Sequence, residues 1–213
     1  PLLIYGSYGY TGELIVRQCL DQGIQPLLAG RNEAKVRAQA AAHKLDYRAF
    51  SLEDKKAVDA GLEGMRAVLH CAGPFQHTAS DMAQGCLRTG THYLDITGEI
   101  QVFEYMASLD GRATAEGIML MPGAGFDVVP SDCLAAHLRH ELPSATSLKL
   151  AFHSAGRASH GTALTMLQNI GHGGQVRRNG KLTPVPGAWK TRTINFGERR
   201  VTCMTIPWGD VST

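Results

Sequence analysis

The sequence predicts an α/β protein: a doubly wound parallel sheet followed by the start of a second, α+β domain. Three observations carry this expectation. Short apolar, β-rich runs alternate with helical patterns from residue 2 to residue 141, the order that builds a parallel sheet with helices on both faces. The runs AVLHCA and GIMLMP are continuously apolar, as in strands buried on both sides. After Pro143 the style changes to strands separated by turns.

In chain order the strands are expected at LLIY (2–5), PLLAG (26–30), YRAF (47–50), AVLHCAG (67–73), HYLDI (92–96) and IMLMPG (118–123). Helices are expected at 11–22, 32–44, 53–61, 77–89, 100–116 and 130–141, so that right-handed crossovers wind the sheet in both directions. Beyond the boundary placed at 143, SLKLAFHSA reads as a strand and 160–170 as a helix. TRTINF and RRVTCMTI read as two strands around the turn Gly197-Glu198. The domains are therefore 1–143 and 144–213.

A chain of 213 residues with 44% hydrophobic content can bury a real core. Its net charge of +2, with Lys and Arg scattered, gives no footprint for nucleic acid or an anionic membrane surface. No apolar run approaches the roughly 18 residues of a membrane span, and the N-terminus lacks the order of a signal peptide, so the expected location is the cytoplasm. Cys19, Cys71, Cys86, Cys133 and Cys203 are odd in number and without a CxxC pair, which predicts reduced, buried thiols. The start at Pro1 and the stop at Thr213, without a closing helix, lead one to expect a fragment.

The stretch YGSYGYTGELI follows the first expected strand and opens the first expected helix. Gly6 suits a sharp turn out of the strand, and Gly9, lacking a Cβ, admits a pyrophosphate to the first helical amides. Gly12 lies three, four, seven and eight residues before Ile15, Val16, Cys19 and Leu20, on the stripe that packs against the sheet. The GxxGxxG spacing departs from GxGxxG and by itself serves a plain strand-to-helix turn equally well. The second strand adds more. It ends in LLAGRNEAK, with Arg31 25 positions after Gly6 and no acid to hold a ribose 2′-hydroxyl. A guanidinium there grips a 2′-phosphate, which favours NADP over NAD. Asn32 would open the next helix and add donors, or serve only as its N-cap. The cofactor-binding set is thus Gly6, Ser7, Tyr8, Gly9, Tyr10 and Thr11 from the loop and first turn, and Gly30, Arg31 and Asn32 after the second strand. Ala72, Gly73 and Pro74 join it, lining the nicotinamide half of the cleft or forming a tight turn.

Taken together, GSYGYTGELI, LAGRNEAKV, HCAGPFQHTASDMAQGCLRTGTHYLDITGE, PGAGFDVVPSD, SHGTALTML and PWGDVST resemble the saccharopine dehydrogenase-like oxidoreductases, a family that includes the trans-acting enoyl reductases. The resemblance implies an NADP-binding Rossmann domain, then a substrate domain whose sheet mediates dimerisation. It also implies further residues after Thr213, and a small-molecule substrate as partner.

Hydride transfer needs at most one protein proton donor or acceptor. The best polar cluster is His92, Tyr93, Asp95 and Glu99. Tyr93 and Asp95 share a strand face, so a phenol and a carboxylate can meet one substrate group, and they are the catalytic candidates. The alternative is that Asp95 and Glu99 fix a loop by accepting backbone amides. Asp127 and Ser131 are read as helix caps or as a border of the cofactor. No tyrosine has a lysine four residues on, as a short-chain dehydrogenase requires, and HLRHEL fails the HExxH pattern. His153, His160 and His172 lack supporting Cys or Asp spacing, so no metal is expected.

The reading is an NADP-dependent oxidoreductase acting on a C=N, C–N or C=C group. The alternatives are a non-catalytic dinucleotide-binding scaffold or sensor, or an enoyl reductase of acyl or lipid substrates.

Overall fold

The computed structural model describes residues 1–153 and 173–213. These fall into two compact units, Pro1–Gly125 and Phe126–Thr213. The division lies ahead of position 143 and assigns the helix Val129–Glu141 to the second unit.

In the first unit the strands are β1 (Leu2–Tyr5), β2 (Leu27–Gly30), β3 (Tyr47–Ala49), β4 (Ala67–His70), β5 (His92–Asp95) and β6 (Leu120–Met121). The helices are α1 (Tyr10–Asp21), α2 (Glu33–His43), α3 (Lys55–Leu62), α4 (Ala79–Thr89), α5 (Ile100–Ser108) and α6 (Asp110–Ala115). The sheet is parallel throughout, in the order β3-β2-β1-β4-β5-β6. That is the Rossmann arrangement, with strand order reversing at β1 and β4, where such sheets open a crevice beyond the carboxyl ends of their strands.

Alternation along the strands sorts the core into two layers. Ile4 and Leu28 pack with Val16, Val36 and Ala40 beneath α1 and α2. Leu3, Tyr5, Ala29, Val68 and Tyr93 pack on the other side with Val58, Leu62, Met82, Ala83, Cys86 and Val102 from α3, α4 and α5. Local chemistry sets the helix ends. Asn32 accepts from Lys35 N at 3.0 Å to cap α2, Asp54 accepts from Lys56 N and Ala57 N to cap α3, and Gly90 closes α4 at φ +69°. A bidentate Arg88–Asp59 pair ties α4 to α3.

Four expectations on element shape change. The single helix 100–116 is two helices broken at Leu109, where Ser108, Asp110 and Gly111 are weak helix formers and the Ser108 hydroxyl turns back to Tyr105 O at 2.6 Å. The sixth strand is only Leu120–Met121, because Pro122 has no N–H to donate. The helix expected from 77 begins as a single 3-10 turn, Phe75–His77, before α4. Residues 147–153 of the expected strand SLKLAFHSA form no strand; Lys149 is exposed among them, and none has a ladder partner among the described residues.

The second unit holds α7 (Val129–Glu141) and two antiparallel hairpins, β7 (Gly174–Arg178) with β8 (Lys181–Val185) and β9 (Thr191–Asn195) with β10 (Arg200–Met204). The β9–β10 pair turns at Gly197, φ +92°, as expected. The β7–β8 pair is additional, turning on Asn179 and Gly180, both at positive φ. The helix expected at 160–170 lies outside the described residues.

Candidate functional site

The loop from β1 to α1 is built almost wholly of backbone. Gly6 turns out of the strand at φ +80°, and a Cβ there would fall 2.9 Å from Ala72 Cβ and Ala72 N at the end of β4. Gly6 N and Ser7 N both donate to Ala29 O, at 2.8 and 3.3 Å, which stitches the loop to β2. Gly9 N donates to Gly6 O at 3.0 Å, and the first helical bond of α1 is Glu13 N to Gly9 O at 2.8 Å. The amides of Tyr10, Thr11 and Gly12 therefore have no intrahelical acceptor. No side chain caps them. Beyond Gly6 O at 3.2 Å, a Cβ at Gly9 would meet only open space. The result is a helix N-terminus with free donors, a partial positive charge and a glycine cradle, the chemistry that seats a phosphate.

Gly12 packs closer than its helical position implies: a Cβ there would lie 2.4 Å from Gly6 O and 2.7 Å from Ser7 O. It meets the loop backbone itself. Gln39 of α2 braces the same loop, donating from Nε2 to Ser7 O at 2.8 Å and to Glu13 Oε2 at 2.6 Å. Glu13 also accepts from Arg17 at 2.8 Å and contacts His43 Nε2 at 3.2 Å. Burial pushes the Glu13 carboxyl up, but the hydrogen bonds from Gln39, Arg17 and His43 outweigh it and hold the group below its usual range. Gln39 was not anticipated from the sequence, although a polar residue sharing the buried stripe of Val36 and Ala40 was the available signal.

At the end of β2 the ring of Tyr8 lies over Gly30, where a Cβ would sit 2.5 Å from Tyr8 Cε1. The Tyr8 hydroxyl accepts from Asn32 N at 3.3 Å. Asn32 is the N-cap, and its amide and carbonyl oxygen are both engaged. Arg31 is exposed, and no ion pair among the described residues occupies it. Ser7 is fully buried with its hydroxyl 3.4 Å from Ala29 O, whereas the Tyr10 side chain is 75% exposed. Gly6 to Thr11, Gly30 to Asn32 and Ala72 to Pro74 thus follow β1, β2 and β4 at one edge of the sheet, on adjacent strands.

Two polar clamps hold the segment after β4. Glu99 accepts from Phe75 N at 2.9 Å and from Gln76 N at 2.7 Å, one carboxylate oxygen each. The Thr78 hydroxyl donates to Ala72 O at 2.8 Å. Its one proton is thereby used, so the 3.0 Å contact with His70 Nε2 has the ring N–H as donor. His70 is therefore the Nε2–H tautomer, and its Nδ1 has no partner among the described residues. Complete burial lowers the His70 pKa to about 3.

Tyr93 and Asp95 meet each other rather than a cleft. Both are fully buried. Tyr93 Oη donates to Asp95 Oδ2 at 2.6 Å, while Asp95 Oδ1 accepts from Thr97 N at 2.9 Å and Gly123 N at 2.8 Å. Burial raises the Asp95 carboxyl pKa against these hydrogen bonds, and burial beside Asp95 raises the Tyr93 phenol well above its ordinary value. In this arrangement neither group reaches solvent, and their polar atoms join β5 to the loop after β6. Of the polar cluster, Glu99 likewise binds backbone, and His92 Nδ1 accepts from Met119 N at 3.0 Å.

Some expectations are revised. Val128, not Asp127 or Ser131, is the N-cap of α7; Ser131 Oγ donates to Val128 O at 3.1 Å. Burial, with Asp210 nearby, raises the Asp127 carboxyl pKa. All five cysteines are free, but only Cys86 is fully buried and Cys133 is exposed. His137 and His140 are exposed on α7, and no metal-binding cluster occurs among the described residues, which exclude His160 and His172. No described helix is long and apolar enough to cross a membrane.

Residues 2–121 match the family described as the saccharopine dehydrogenase NADP binding domain. The chain is similar to the saccharopine dehydrogenase-like oxidoreductase of Mus musculus, 23% identical over 218 residues that cover 93% of this chain and 46% of that protein. It is also similar to the trans-acting enoyl reductase of Mycobacterium leprae (strain TN), 28% identical over 139 residues, covering 62% of this chain and 33% of that protein. The chain thus spans less than half the length of these relatives. Among solved structures, apo histidine-tagged saccharopine dehydrogenase (L-Glu forming) from Saccharomyces cerevisiae aligns with a TM-score of 0.67 at 17% identity, over 95% of this chain and 48% of that one, a likeness of fold.

Proposed function

The chain belongs to the saccharopine dehydrogenase NADP-binding-domain family, and from that membership we propose that it seats NADP at the β1–α1 loop of an oxidoreductase. In this reading the protein transfers a hydride to or from a C=N, C–N or C=C group of a small molecule. One observation carries it: the uncapped start of α1, opened by Gly9, stands one strand away from Arg31 at an edge with no competing acid on β2. The free amides of Tyr10, Thr11 and Gly12 fit a pyrophosphate, and Arg31 fits a 2′-phosphate. Bound NADP would supply the hydride donor or acceptor at its nicotinamide. Ala72, Gly73 and Pro74 would border that ring, held in place by Glu99 and Thr78.

The test is the melting temperature of the chain with each cofactor. NADPH is expected to raise it more than NADH, and Arg31→Ala to abolish the difference. Equal stabilisation by both would sink the assignment.

One observation favours a second reading, dinucleotide binding without turnover: the phenol and carboxylate best suited to proton transfer are both buried against each other. NADPH consumption with an amino-acid-derived imine and with an enoyl thioester separates the readings. Turnover of the imine supports the first, turnover of the thioester alone an enoyl reductase, and silence with both the scaffold. Pairing of two copies through the second unit is a further part of the proposal, checked by light scattering.

A further inference from the structure

We propose that Lys35 is a second specificity-determining cation for the ribose 2′-phosphate, acting with Arg31 beside the Tyr8 ring; the inference rests on the NADP reading above. Tyr8 organises the place. Its ring covers Gly30, and its hydroxyl is tied to Asn32 N. The Lys35 ammonium stands 5.9 Å from the centroid of that ring, within reach of a cation–π attraction. Lys35 lies in the first turn of α2, just past the Asn32 cap, so the Tyr8 ring draws its charge toward the residues that follow β2. Arg31 enters the same neighbourhood: the Tyr5 phenol, pushed up to about 12 chiefly by burial, senses both the Tyr8 hydroxyl and the opposing Arg31 charge.

Neither cation is neutralised. Glu33 lies between them in sequence and is exposed, yet no ion pair among the described residues joins it to Arg31 or Lys35. A phosphate monoester carries nearly two negative charges at neutral pH. One guanidinium matches it only in part, whereas a guanidinium fork with a mobile ammonium matches it fully. A free ribose 2′-hydroxyl offers Lys35 nothing comparable.

The experiment measures the affinity of the chain for adenosine 2′,5′-bisphosphate, 5′-AMP, NADPH and NADH by calorimetry, in wild type, Lys35→Gln, Lys35→Arg and Arg31→Gln. Lys35 is exposed, and the helix cap uses only its backbone amide, so the substitutions leave the fold intact. Lys35→Gln is expected to weaken the bisphosphate and NADPH about tenfold, the equivalent of one charge-assisted hydrogen bond, and to leave 5′-AMP and NADH unchanged. Lys35→Arg should restore most of the loss. If Arg31→Gln erases the preference while Lys35→Gln retains it, the role of Lys35 is overturned and the NADP reading stands. If the wild type binds the bisphosphate no better than 5′-AMP, both fall.

Discussion

The side-chain amide of Gln39 donates to the carbonyl of Ser7 across 2.8 Å, so that α2 grips the loop that β1 and α1 form between them. Its second proton goes to Glu13, whose side chain is 29% exposed, whereas Ser7 is fully buried. Gln39→Leu is expected to strand the buried Ser7 O, lowering stability by about 1–3 kcal/mol in urea unfolding, while water can replace the donor lost to the partly exposed Glu13. The same variant should lose NADPH affinity, because the loop it braces is the proposed phosphate seat.

Glycine substitutions should divide by surroundings. Alanine at Gly12 would set a methyl 2.4 Å from Gly6 O, a backbone atom that cannot swing aside. We expect Gly12→Ala to destabilise by about 1–3 kcal/mol despite its better helix propensity. Gly111 in α6 faces open space, so Gly111→Ala should shift the melting temperature slightly upward instead.

Removing the Tyr93 hydroxyl leaves Asp95 Oδ2 without its 2.6 Å donor in a dry setting. Tyr93→Phe should cost about 1–3 kcal/mol. It should also move the Asp95 carboxyl further upward, since a hydrogen bond to the charged form is lost; carbon-detected NMR titration reads the change. NADPH affinity should be unaltered.

Acid should weaken the fold through His70. Its folded pKa is about 3 against an ordinary 6.5, so between those values the unfolded chain binds a proton that the folded chain refuses. Stability from this group is complete above about pH 6.5 and falls by up to about 1.4 kcal/mol for each unit below it. The raised Asp95 carboxyl acts in the opposite sense, binding protons more readily when folded. Comparing wild type with His70→Leu isolates the histidine, and the acid limb of the variant's melting curve should be flatter.

Where local chemistry decides, the sequence was readable. Expected and observed ends of β1 coincide, and those of β2, α2 and β3 differ by one residue, because glycine, asparagine and apolar runs act within a few residues of themselves. The glycine loop and Arg31 were recognisable for the same reason. Pro122 and the Ser108-Leu109-Asp110 break are local signals too, but each lies inside a longer apolar pattern that masks it. The β7–β8 hairpin carried the strongest short-range signal for a turn, Asn179-Gly180, on a polar background that hid it. Gln39, Glu99 and His70 were out of reach. Their partners lie 32, 23–24 and 8 residues away, and only the assembled sheet brings them together. Tyr93 and Asp95 were correctly placed on one face, but whether that face met water depended on how the helices covered it.

The parallel sheet of the first unit is also a question of colloidal behaviour. Its rims are β3, three residues long, and β6, two. A rim strand exposes unpaired amides and carbonyls that another chain can adopt as a template, and the hazard grows with the length of ladder on offer. Here each rim has only two or three residues to lend, and Pro122 withholds a donor directly after β6. The hydrophobic interior strands are thus screened from edge-to-edge accretion, and a concentrated solution of this unit should resist fibre growth that begins at the sheet.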